Sequence, residues 1–214
     1  MSTLTLGGST LANKTGSVVS INDGVILPAG SVLQVVQAQD DEAFGYTNTS
    51  QWSFGNTSTR ADNSHGGVVD NLNVTLTTKK ANSNFLVCAN LQNAGASAVG
   101  YAFGMNTYWS VDSYANPIIK GNPSNHGVYP SGQGVQSGFW VISTGDSGWK
   151  PLDTQVLKTG NTIAKNTTIT FKIVVGTYYT SGGNTLYINR QHNSGNGAYR
   201  LVPVSTHTVF EIAT

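Results

Sequence analysis

The sequence predicts an all-β fold, an antiparallel β-sandwich of jelly-roll-like form with an extended N-terminal arm. Three observations predict it. No window of about 11 residues carries apolar side chains at i, i+3, i+4 and i+7, while period-two alternation and short apolar runs recur from end to end. Between those runs stand clusters of Gly, Asn, Ser and Thr, with 25 glycines in all, the turn-rich composition that short strands need. The 214 residues, 38% of them hydrophobic, suffice for one large β domain with its own core and are too apolar for a disordered chain.

Residues 1–31 are small and polar, with short β-like pieces at 17–21 and 25–27 and turn signals at Asn22-Asp23-Gly24 and Pro28-Ala29-Gly30. They hold too little apolar surface for a core of their own. They are therefore read as an extended attachment and oligomerisation arm, ordered by a neighbour. Residues 32–214 form the β-sandwich domain, with strands expected at 32–38, 68–77, 84–91, 99–105, 138–144, 167–176, 185–190 and 205–212. Within 84–91, Phe85, Val87, Ala89 and Leu91 share the face to be buried, against Leu86, Cys88 and Asn90. Ile169, Phe171, Ile173 and Val175 alternate with Thr168, Thr170, Lys172 and Val174, giving one apolar and one solvated face. In the last strand Thr208, Phe210 and Ile212 oppose His207, Val209 and Glu211, so the chain should end inside a sheet. Two long connections, 44–67 and 106–138, break the pattern, and long connections without regular structure are commonly functional.

Composition and motifs exclude several function classes. Only 10% of residues are charged and the net charge is +1, so there is no basic stripe for a nucleic-acid partner. No apolar stretch approaches the ~20 residues of a membrane span, and residues 1–10 lack a basic segment followed by an apolar one, so neither membrane insertion nor a signal peptide is expected. The single cysteine, Cys88, permits no internal disulfide and is read as a small core residue, not a nucleophile. Glu42 and Glu211 are the only glutamates among ten acids; the cluster Asp40-Asp41-Glu42 follows a strand and is read as a solvated turn, a calcium ligand being the alternative. His65, His126, His192 and His207 form no His-x-His or His-Glu-x-x-His pair; only convergence in space would make ligands of His65 or His126, and His207 is read as a cross-strand partner. No nucleophile elbow, phosphate loop or dinucleotide fingerprint occurs, so no enzyme activity, metal or cofactor is expected.

The aromatics of the connections point instead to binding. Trp109, Tyr114, Tyr129 and Trp149 stand in turn-rich polar surroundings, where a flat apolar ring can stack on a sugar, and Asn116 and Asp146 would add hydrogen bonds. The alternative reading of the same rings is that they plug the ends of the sandwich or pack at a subunit interface.

The run Pro28-Ala29-Gly30-Ser31-Val32-Leu33-Gln34-Val35-Val36-Gln37 resembles the start of a domain found in tail-fibre and other virion structural proteins of tailed bacteriophages. Thr77-Thr78-Lys79-Lys80-Ala81-Asn82-Ser83-Asn84-Phe85-Leu86-Val87 stands where that family has a turn before an apolar strand. Thr185-Leu186-Tyr187-Ile188-Asn189-Arg190 and Thr208-Val209-Phe210-Glu211-Ile212-Ala213 resemble its last two strands, so the likeness spans 28–214, with 92–166 as a large insertion of its own. The resemblance implies a jelly-roll-like homotrimer, made in the host cytoplasm and carried on the virion. Its N-terminal segment would join other virion proteins, and its distal loops would face a host cell-surface receptor, glycan or protein. It carries over no catalytic residues. The alternative is a capsid decoration or connector protein with no host ligand. A glycan depolymerase fits less well, since such enzymes show longer repetitive β-solenoid sequence and more acids.

Overall fold

The computed structural model of the chain describes residues 2–6, 9–15, 18–21, 28–42, 44–48, 67–96, 102–114, 118, 137–140, 150–177, 184–189 and 203–214. Among these, regular structure consists of antiparallel strands and two short 3-10 turns, 70–72 and 110–112. The all-β expectation holds.

The arm is more than an extended segment. Strands β1 (Ser2–Leu6), β2 (Ser9–Thr15) and β3 (Val18–Ile21) pair antiparallel as a three-stranded sheet. Thr and Val supply the β propensity there, and each strand pairs only with its sequence neighbours. The turn foreseen at Pro28-Ala29-Gly30 is present: Gly30 takes φ 88°, a value that favours glycine, and Ser31 N–H bonds Pro28 O at 3.1 Å. Gly30 N–H then reaches Ala213 O at 2.8 Å, so the sandwich already begins at the arm's last residues.

One sheet of the sandwich runs β10 (Ser137–Trp140), β9 (Ala102–Trp109), β12 (Thr168–Thr177), with β6 (Gly67–Val68) and β7 (Val74–Thr77) sharing the far edge of β12. The other is built on β4 (Val32–Asp40), β14 (Ser205–Ile212), β8 (Asn84–Ala96) and β11 (Lys150–Lys158), with β13 (Asn184–Ile188) and β5 (Phe44–Asn48) continuing it beyond β14 and β4. The core lies between them. Phe85, Val87 and Val209 of the second sheet meet Val74, Leu76, Ile169 and Phe171 of the first, and Ala89, Leu91 and Leu152 meet Leu72, Met105, Ile173 and Val175. Phe85 and Phe171 pack with ring centroids 5.6 Å apart at 51°, a tilted geometry worth about 1 kcal/mol beyond the area it buries.

Several stretches depart from the expected strands, and the pairing explains them. The run 68–77 is broken by the turn 70–72, where Asp70-Asn71 favours a bend and drops Leu72 into the core at 0% exposure. Residues 106–109 extend β9 where a loop was expected. Strand β11 was hidden by Pro151 and its charged residues; it pairs only with β8, and the register slips between Lys150 and Leu152, which leaves proline outside the ladder. Strands β13 and β14, expected as separate elements, lie on one line. Tyr187 pairs with Gly95, Asn189 N–H bonds Gln92 O at 3.0 Å, and Thr206 pairs with Asn90, so β13 and β14 follow one another along the same edge of β8. The join is sealed by buried polar groups. Ser205 Oγ donates to Asn189 Oδ1 at 2.6 Å and accepts Gln92 N–H at 2.9 Å, and Asn189 Nδ2 donates to Asp40 O at 2.8 Å.

Polar side chains also stand on the inward face of β14. Glu211, wholly buried, accepts Lys79 N–H at 2.8 and 3.0 Å, Lys80 N–H at 3.1 Å, Ser83 Oγ at 2.7 Å and Gln34 Nε2 at 2.5 Å. One carboxylate thus ties β4, the 79–83 turn and β14 together. His207, equally buried, crosses the core and places Nδ1 2.8 Å from Leu72 O. A carbonyl only accepts, so Nδ1 carries the proton. Burial lowers the imidazole to about 4.

Candidate functional site

Because side chains alternate along a strand, the inward rows of β4, β14, β8 and β11 leave a matching set of outward rows. The strand registers align those rows across four strands. The first is apolar: Val35, Phe210, Leu86 and Leu157. The second is Gln37, Thr208, Cys88 and Gln155, and the third Gln39, Thr206, Asn90 and Asp153. One rigid face is therefore half apolar and half polar. Val35 is 51% and Leu157 53% exposed, with Phe210 and Leu86 half-buried between them. Val32, paired with half-buried Ile212, adds a further outward apolar group.

The polar rows enclose a shallow depression of about 370 Å³, lined by Cys88, Asn90, Asp153, Gln155, Thr206 and Thr208. Its amides are already oriented: Gln92 Nε2 donates to Asn90 Oδ1, and Asn90 Nδ2 donates to Asp153 Oδ1. Among the described residues the lining holds one acid, Asp153, and neither Lys nor Arg. Cys88, expected in the core, instead stands half-exposed here, on the face opposite Phe85. Burial pushes its thiol up from the ordinary value, which keeps it protonated and a poor nucleophile. The described lining can hold a ligand by hydrogen bonds.

Of the residues proposed from sequence, the described ones, Trp109 and Tyr114, do not line this depression. Trp109 ends β9 and is 7% exposed, its ring 6.2 Å from Phe85 in a T-shaped contact and 6.2 Å from Phe171. It is a strand residue of the core, not a loop residue, and Lys158 Nζ caps the ring at 5.1 Å. Tyr114 follows the 110–112 turn with φ 60°, beside Ser113 at φ 57°. Its ring is half-buried against Tyr108 and Val174, and Lys172 Nζ sits 4.4 Å from its centroid. A cation already occupies one face of this ring. Asn116, Tyr129, Asp146 and Trp149 lie outside the described residues, as do His65, His126 and His192.

The acid cluster is split by the fold. Asp41 and Glu42 are exposed, as a solvated turn requires, but Asp40 closes β4 at 5% exposure, with Oδ1 accepting Glu42 N–H at 3.0 Å. Among the described residues no three His, Cys, Asp or Glu side chains converge as metal ligands. His207 pairs through its backbone with Ala38 and Ala89, but its ring bonds the opposite sheet and not a cross-strand side chain. The outward rows were visible as alternation in 84–91 and 205–212. Their alignment with β11 required the strand that the sequence concealed.

No family model and no curated protein matches the chain. Among solved structures it is similar to chains from two structures of infectious bursal disease virus. The Gt strain chain aligns at 15% identity and TM-score 0.38, over 100% of this chain and 45% of that chain. The Gx strain chain aligns at 13% identity and TM-score 0.39, over 94% of this chain and 41% of that one. The chain thus spans less than half the length of either, and its fold assignment rests on the strand registers above.

Proposed function

We propose that the chain is a non-enzymatic structural module of a bacteriophage virion, a tail-fibre or appendage tip that adheres to the host surface. The observation that carries this reading is the outward face of β4, β14, β8 and β11, where an apolar row, exposed at Val35 and Leu157 and half-buried at Phe210 and Leu86, borders mainly uncharged hydrogen-bonding groups. Apolar side chains gathered on one outward face fit contact with another macromolecule. The resemblance over 28–214 to phage fibre domains supports the same reading, and a homotrimer follows from it. Three linked copies would raise avidity by roughly 10² to 10⁴ without new contacts. The sheet β1–β3 joins the module to other virion proteins.

The test is binding of fluorescently labelled protein to intact cells of a bacterial strain panel, with the mass in solution measured by light scattering. Saturable binding of a trimer to a subset of strains is expected. A well-folded protein that ignores every strain overturns the adhesive reading in favour of a decoration or connector role.

A further inference from the structure

We propose that the depression formed by the polar outward rows of β14, β8 and β11 is a binding site for an uncharged carbohydrate; the inference rests on the adhesive reading above and assigns it a ligand class. The first argument is charge. Phosphate, sulfate and carboxylate groups are recognised by Arg, Lys or clustered backbone N–H groups; among the described residues the lining has neither cation, and its one acid, Asp153, disfavours an anionic sugar. A cationic partner would meet one acid only. The second is spacing. Adjacent strands stand about 4.8 Å apart and successive outward residues about 7 Å apart. Thr206, Thr208, Asn90, Gln155 and Asp153 therefore form a grid of donors and acceptors on the scale of a pyranose ring.

The third argument is adjacency: Gln92, Asn90 and Asp153 stand side by side, so their polar groups can serve one ligand together. Asp153 at the β11 edge accepts sugar hydroxyls through charge-assisted bonds, the stronger kind. The fourth is the border. Phe210 and Leu86 stand outward one row beyond Thr208 and Cys88, where the C–H face of a sugar extending from the depression would cover them. A volume of about 370 Å³ is near the lower end of ligand sites, which suits a short oligosaccharide segment.

The probe is an immobilised array of neutral gluco-, manno- and galacto-oligosaccharides beside sialylated and sulfated ones, exposed to the full-length protein. Binding confined to neutral glycans is expected, weakened about tenfold by Thr206→Val or Asn90→Ala, each removing a hydrogen-bonding group. Thr208→Val keeps the β-branched shape and serves if either variant loses its cooperative melt. Binding only to charged glycans, no binding to the array, or neutral binding unchanged in all three variants overturns the proposal. Cell binding by the same variants separates the two readings. Wild-type adhesion retained in full by every variant sinks the depression and leaves the adhesin, whereas array binding without cell adhesion sinks the adhesin and leaves the depression.

Discussion

Glu211 and His207 stand on the same inward face of β14 and are equally buried, at 0% exposure. Around Glu211 every donor that approaches is matched to a carboxylate oxygen, from Lys79, Lys80, Ser83 and Gln34. Among the described residues His207 has one side-chain bond, to Leu72 O, and its buried Nε2 meets no partner. The two groups are equally buried, yet the first is converted into a clamp and the second remains a liability. What distinguishes them is whether the neighbouring backbone was shaped to meet the side chain. The 79–83 turn points two N–H groups and a hydroxyl at Glu211, while the 70–72 turn offers His207 a single carbonyl.

Removing the clamp should have the largest effect. Glu211→Ala strands several buried donors and leaves a cavity, and we expect a loss of about 4 kcal/mol in urea denaturation, a large share of the roughly 5–15 kcal/mol typical of a domain. Unchanged stability would mean that the turn finds other acceptors and that the comparison with His207 is empty.

The liability should show in pH. Folded, the imidazole titrates near 4; unfolded, near 6.5. Between those values the unfolded state holds the extra proton, so stability is fully present above 6.5 and falls as pH drops towards 4. The whole effect is about 3 kcal/mol. Carboxylates titrate in part of this window, so the reference is His207→Gln, which keeps a donor for Leu72 O and cannot take a proton. The difference in denaturation midpoint between the two proteins should change sharply from pH 7 to pH 4.5, and a constant difference would show that His207 carries no such term.

The turn that serves Glu211 is itself tightly packed. A Cβ on Gly160 would stand 2.2 Å from Ser83 O and 2.9 Å from Phe85 Cε2. Gly160→Ala must displace the residue that donates its hydroxyl to Glu211, and about 2 kcal/mol of overpacking strain is expected by thermal unfolding. Combined with Glu211→Ala it should cost less than the sum, since both act on Ser83.

How much of this was legible depends on whether the signal is local. The buried face of β8 follows from alternation, because Phe85, Val87, Ala89 and Leu91 need only be apolar and two residues apart, whereas β14 buries His207 and Glu211 beside Val209 and turns Phe210 and Ile212 outward, which alternation does not foretell. The turn at Gly30 follows from backbone chemistry. By contrast, Leu152 and Val156 of β11 were masked by Pro151, Asp153 and Lys158, and only an edge position in a sheet makes that composition a strand. Trp109 misled for a related reason: its neighbours read as a loop, and its burial depends on Phe85 and Phe171, distant in sequence. The collinear join of β13 and β14 and the four-strand outward rows are likewise products of pairing between remote segments, which one sequence does not encode as a pattern.

The smallest effect is expected where the comparison is turned inside out. Thr208 follows His207 directly but faces outward, half-buried, between Gln37 and Cys88. Thr208→Val keeps the branched shape that suits a strand and removes a hydroxyl that water can replace, so stability should move by less than about 0.5 kcal/mol. A loss near 2 kcal/mol would show that the outward row is a structural network like that of Glu211, and the face would then serve the fold before any partner. A null effect on melting, together with weakened glycan binding by the same variant, would assign stability to one side of β14 and recognition to the other, residue by alternate residue.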